Sequence, residues 1–119
     1  MVELVHSLRR VCSHLDDVRG IALMGIDGLS VEEIRQDPLV DLSVLGAELS
    51  VIFKGTRDST TSEQLGHVRS IQINMENALV LVQTISREYF LILVLRADGN
   101  AGRGRFYLQH EADRLVSEF

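Results

Sequence analysis

Tyr89-Phe-Leu-Ile-Leu-Val-Leu95 is the longest unbroken apolar run in the chain. A strand with one face in water alternates apolar and polar side chains, so a run without alternation is covered on both faces. The run is far shorter than the roughly 20 residues of a membrane-spanning helix. It therefore predicts a central strand with Leu93 fully buried. Ser86-Arg87 turns the chain before it, and Leu79 to Thr84 reads as the strand that precedes that turn. Further back, His67 to Met75 does alternate, with Ile71, Ile73 and Met75 on one face and Ser70, Gln72 and Asn74 on the other. That pattern predicts a half-exposed strand at a sheet edge.

Gly55 to Gly66 is polar and rich in Ser and Thr, which predicts a mobile loop. Ahead of it lies a helix capped by Asp41 or Ser43 and running to about Lys54. At about 100° per residue, Leu42, Leu45, Leu49, Ile52 and Phe53 form one apolar face. Val44, Ala47 and Val51 form a second, roughly opposite stripe of smaller residues. A helix apolar on two faces is normally buried twice, and in so short a chain the second burial points to another chain. Ile21 to Ile26 is a short strand, and Asp27-Gly28 signals a hairpin with a type I′ turn, returning from Leu29 to about Ile34. Val2 to Leu15 reads as the first helix, with Leu4, Val5, Leu8, Val11, Cys12 and Leu15 on one face. Beyond the central strand, Asp98 to Gly104 is a Gly-rich bend. The last helix runs from about Gly102 to Ser117 with Phe106, Leu108, Ala112, Leu115 and Val116 inward. The order αββαβββα over one domain, 1–119, predicts an α+β fold.

Composition narrows the function. A net charge of −5 disfavours a nucleic-acid binder, whose phosphate contacts need a basic surface. Arg9 with Arg10, and Arg103 with Arg105, read as solvated surface pairs. With no Trp there is little with which to stack bases. The single Cys12 cannot form an internal disulfide, and Met1 to Arg10 lacks the apolar core of a signal peptide, so the expected location is cytoplasmic.

No catalytic, cofactor or metal constellation emerges. Gly99, Gly102 and Gly104 have the wrong spacing for either glycine fingerprint, and are read as serving backbone turning. Asp98-Gly-Asn100 opens like a calcium loop, but Gly and Arg occupy the later ligand positions. His110-Glu111 lacks the second His of a zinc-protease helix, because Arg114 stands in its place. Cys12, His14, His6 and His67 read as core or surface residues, since a free Cys on an apolar face behaves as a small hydrophobe. Asp16-Asp17 and Glu32-Glu33 read as solvated charges. What remains is a binding signal, the twice-apolar helix.

Three stretches together resemble the roadblock (dynein light chain-type) family: Ile21-Ala-Leu-Met-Gly-Ile-Asp-Gly-Leu29, the apolar helix from Leu42 to Phe53, and the meander from Ile71 to Leu95 running into Asn100-Ala-Gly-Arg103. The resemblance covers about residues 2 to 118. It implies a roadblock/profilin-like five-stranded antiparallel sheet in the order 2-1-5-4-3 with helices on both faces. It further implies dimers made by packing second helices and pairing third strands, hence an interface of Val44, Ala47, Val51, Ile71 and Ile73. Family members are non-catalytic partners of small Ras-like GTPases or cargo adaptors of dynein. On that basis Glu48, Ser50 and Lys54 form the expected GTPase contact, in a homodimer or a heterodimer with a paralogue. The last helix departs from the commoner Leu-Val-Arg start with Gly102-Arg-Gly-Arg-Phe106, and Val31-Glu-Glu-Ile34 is unusually acidic. A small-ligand sensory module is the competing reading; it requires a sizeable apolar cavity with convergent polar groups.

Overall fold

A computed structural model describes residues 4–58 and 60–119, and the side chains of all of these but residues 60–62. The chain runs α1 (Leu4–Ser13), β1 (Val18–Gly25), β2 (Ser30–Arg35), α2 (Leu42–Arg57), α3 (Thr60–Leu65), β3 (Ser70–Asn74), β4 (Leu79–Thr84), β5 (Tyr89–Leu95) and α4 (Ala101–Leu115), closing on a 3-10 turn, Val116–Glu118. The strands form one antiparallel sheet in the order β2-β1-β5-β4-β3, as the resemblance implied.

The apolar run is the centre of the sheet. Leu91, Leu93 and Leu95 point into a core shared with Leu8 and Val11 of α1 and Leu108 and Leu115 of α4. Phe90, Ile92 and Val94 point the other way, into a core shared with Leu42, Leu49 and Phe53 of α2. Successive residues of a strand face opposite sides, so a strand between two helical layers must be apolar throughout. Leu93 is fully buried.

The first hairpin differs from the expected type I′ turn. Gly28 alone has positive φ, at 89°, and Asp27 does not. The Gly25 N–H donates to the Leu29 carbonyl (2.9 Å) and the Gly28 N–H to the Gly25 carbonyl (3.0 Å). The loop therefore has three residues, Ile26-Asp27-Gly28, with the left-handed glycine at its end. The Asp27 carboxylate accepts the Leu29 N–H (3.1 Å), which explains the Asp without a second positive φ.

The two outer strands are unlike. The β1–β2 pairing shifts register between Leu23 and Met24, a bulge. Glu32 and Glu33 stand within β2 and are half-buried instead of freely solvated; Glu33 accepts from the hydroxyls of Ser30 and Ser43. At the other side β3 pairs with β4 without any shift, from Ser70 opposite Gln83 to Asn74 opposite Leu79.

Asp41, not Ser43, caps α2, accepting the Val44 N–H at 3.1 Å. The supposed loop from Gly55 to Gly66 is largely helical. The Thr56 hydroxyl donates to the Phe53 carbonyl (2.9 Å) and the Asp58 N–H reaches the Lys54 carbonyl (3.1 Å), so α2 continues to Arg57. α3 follows and ends at Gly66, whose φ of 88° suits a helix terminus. α1 begins at Leu4; the expected start at Val2 lies outside the described residues.

α4 departs most from its expected face. Its buried residues are Gly104, Leu108, Glu111, Ala112 and Leu115, whereas Phe106 (62 % exposed) and Val116 face outward. Two inward positions are held by a glycine and a glutamate, which an apolar count cannot see. Gly104 brings the helix backbone close to the sheet: a Cβ there would lie 2.8 Å from Leu81 Cδ1. It serves close packing, not backbone turning. Glu111 is paired with Arg10 of α1, whose Nε donates at 2.9 Å. Arg10 is therefore a structural partner and not simply a solvated charge. Asp17 is likewise buried: its carboxylate accepts the N–H of Asn100 (2.8 Å), the residue that caps α4.

Candidate interaction surface

α2 lies on the sheet through Leu42, Gly46, Leu49, Ser50 and Phe53. Gly46 suits this approach, since a Cβ there would displace the side chain of Met24. The opposite face is apolar and uncovered: Val44 is 54 % exposed, Val51 69 % and Ile52 48 %. Ile52 was expected inward with Leu45; Leu45 is half-buried and Ile52 turns outward, beside Glu48. Ala47, Glu48, Lys54 and Gly55 are also exposed, and nothing lies within 4 Å of a Cβ built on Gly55. At about 100° per residue, Val44, Val51 and Gly55 run along the outer line of the helix, with Glu48 on one flank and Lys54 on the other.

The structure places Val44, Ala47 and Val51 together on this surface. Ile71 and Ile73 are elsewhere, on the edge strand β3, half-buried against the core on the α2 side of the sheet. Ser50 does not join Glu48 and Lys54. It is 5 % exposed and its hydroxyl donates to the Ala47 carbonyl (2.7 Å), so only Glu48 and Lys54 of that trio are presented to solvent.

The other sequence candidates resolve as structural parts. Arg103 donates from Nε to the His14 carbonyl (3.1 Å), and Arg105 bonds Gln72, tying α4 to β3. His14 stacks on Tyr107 with ring centroids 4.3 Å apart. Burial pushes the Cys12 thiol up to about 11. The Leu39 N–H, and then Arg19, hold the Asp37 carboxyl below its ordinary value. Among the described residues, no three His, Cys, Asp or Glu side chains form a group that could hold a metal, and no helix is long and apolar enough to cross a membrane.

One feature escaped the sequence reading. At the C-terminal end of α2 lies a cavity of about 230 Å³, assembled from four separate segments.

No family model and no curated protein matches the chain. Solved structures do. MglC from Myxococcus xanthus is 28 % identical, with 99 % of this chain and 100 % of that one covered at a TM-score of 0.69. The gliding protein MglB from Thermus thermophilus is 13 % identical, covering 95 % and 85 % at 0.82. A Roadblock/LC7 domain from Streptomyces avermitilis is 14 % identical, covering 95 % and 94 % at 0.78. The fold is that of the roadblock domains, an α+β sheet with helices on both faces. Within it, the chain is similar to MglB and MglC over nearly its whole length.

Proposed function

We propose that this protein is a non-catalytic dimeric regulator or scaffold for a small Ras-like GTPase, acting in the cytoplasm. The observation that carries the reading is the uncovered face of α2, where Val44, Val51 and Ile52 stand in water on a helix already packed on its other side. Exposed apolar side chains grouped on one face mark an interaction surface. The likeness to MglB and MglC supports a regulator of GTPase signalling.

In the proposed dimer, two α2 helices meet along Val44, Ala47 and Val51, and the regular edges of β3 pair, extending the layer that holds Ile71 and Ile73. A two-fold axis through the α2 contact brings both copies of Glu48 and Lys54 to its margins. One GTPase seated there contacts both chains. Stimulation then comes from ordering the GTPase's own loops, a population shift, and not from an inserted arginine.

The test is capture of a small Ras-like GTPase, loaded with a non-hydrolysable GTP analogue or with GDP, on the immobilised chain. Two copies of this protein per GTPase are expected. Lys54→Glu should weaken capture while leaving the melting temperature unchanged, because exposed substitutions usually alter stability by less than about 0.5 kcal/mol. Equal capture by Lys54→Glu, or a one-to-one complex, sinks the composite surface. Loss of more than about a hundredfold in stimulated hydrolysis from Arg9→Ala, Arg57→Ala, Arg103→Ala or Arg105→Ala, tested singly with binding intact, overturns the finger-free mechanism.

A further inference from the structure

The cavity at the end of α2 combines two kinds of lining. Its buried walls are apolar, contributed by Ile26, Phe53 and Phe90. Its exposed lining includes Arg69, just before β3, and Arg87, in the β4–β5 turn. In a chain of net charge −5, arginines ordinarily find carboxylates, and Arg10, Arg19, Arg35, Arg57, Arg96 and Arg114 each face one here. Arg57 also lines the cavity, and it engages the nearby acids Asp58 and Glu88 at 3.2 Å. Arg69 and Arg87 have no acidic partner among the described residues. Two separate loops thus bring guanidinium groups, unpaired with any acid among the described residues, to the lining of an apolar hollow. Guanidinium groups recognise carboxylate and phosphate in a geometry that fixes the bound group's direction.

We propose that this cavity binds a small anionic amphiphile, with a carboxylate or phosphate head on Arg69 and Arg87 and a short aliphatic or aryl tail against Phe53 and Phe90. At about 30 Å³ for each water-sized group, 230 Å³ holds a tail of several carbons but not a lipid chain of membrane length. The site lies apart from the Val44–Val51 stripe, and its occupancy is independent of the GTPase reading.

The experiment is a titration of the intact chain, followed by amide NMR, with octanoate, octyl phosphate, octanol and octylammonium, all below their aggregation limits. Octanoate and octyl phosphate should bind saturably, in about the millimolar range for ligands of this size. The shifts should centre on Phe53, Val68 and Phe90. The tighter of the two identifies the head group. The double variant Arg69→Gln/Arg87→Gln should weaken both anions about tenfold and leave octanol unchanged, with the fold intact because neither side chain makes a hydrogen bond among the described residues. Octanol binding as tightly as octanoate, anion binding unaffected by the double variant, or shifts centred on Val44 and Val51 would each overturn the proposal.

Discussion

Gly102 and Gly104 stand two residues apart near the start of α4, and replacing each with Ala makes the same chemical change in two settings. A Cβ on Gly102 would find its nearest neighbours at 3.7 Å (Asn100 Oδ1) and 3.9 Å (Arg105 Nη2), ordinary contact distances. Gly102→Ala should therefore gain helix propensity, up to about 1 kcal/mol. A Cβ on Gly104 would lie 2.8 Å from Leu81 Cδ1, 3.1 Å from Leu95 Cδ1 and 3.5 Å from Leu93 Cδ2. All three leucines are buried in the same hydrophobic cluster, so the methyls can yield only by disturbing their own neighbours. Overpacking of this kind costs about 1–3 kcal/mol, against the same propensity gain. Gly104→Ala should end about 0–2 kcal/mol less stable than the natural chain. The comparison of the two variants removes the propensity common to both and leaves a gap of about 1–3 kcal/mol, or about 4 °C and upward in melting temperature. Urea unfolding followed by circular dichroism measures it, provided the slope with denaturant stays constant. If the two variants agree within about 0.5 kcal/mol, the reading of Gly104 as a helix-to-sheet contact is wrong.

Val51→Glu separates the monomer from its assembly: with Val51 69 % exposed, the fold should change by less than about 0.5 kcal/mol, while a buried charge facing its symmetry mate costs several kcal/mol. Light scattering should then show a dimer for the natural chain and a monomer or aggregate for the variant; a natural chain that is monomeric at high micromolar concentration refutes the interface. Cys12, pushed up to about 11 from an ordinary 9, should be alkylated about a hundredfold more slowly at pH 8 than in the urea-unfolded chain, and equal rates would place it at the surface. The same raised value means that the thiol favours the fold below about pH 9 and that this contribution fades as pH rises toward 11. Asp37 acts in the opposite sense: its lowered value makes its contribution present above about pH 4 and lost on acidification, so Asp37→Asn should flatten the acid limb of a stability profile.

Where two signals coincided, the sequence was sufficient. Tyr89 to Leu95 declared a central strand because every residue there is apolar, and Ile71 and Ile73 declared an edge because their neighbours are not. α2 was readable as twice apolar, although Ile52 went to the wrong face. Periodicity fixes the spacing of a face, while its centre depends on which residues touch the sheet. At α4 that centre passes through Gly104 and Glu111, and counting apolar residues displaced it toward Phe106. Glu111 could not be expected in a core without its partner Arg10, 101 positions away. The same holds for the cavity, whose arginines gain meaning only when β3 and the β4–β5 turn are brought beside Phe53. Short-range chemistry misled at the Asp27 turn as well, where a dipeptide suited to one loop sits in another.

The bulge and the acidic residues at one side of the sheet bear on how many copies can join. A strand whose backbone is bent and which carries Glu32 and Glu33 is a poor template for a further strand, whereas β3 presents an even, unshifted edge. Pairing β3 with its own copy uses the one inviting edge on each molecule and leaves β2 at both extremities. In the proposed dimer, growth through the sheet would then stop at two. If β3 pairs as proposed, the fold carries its own limit on length, and raising the concentration of such a chain would not polymerise it through its sheet.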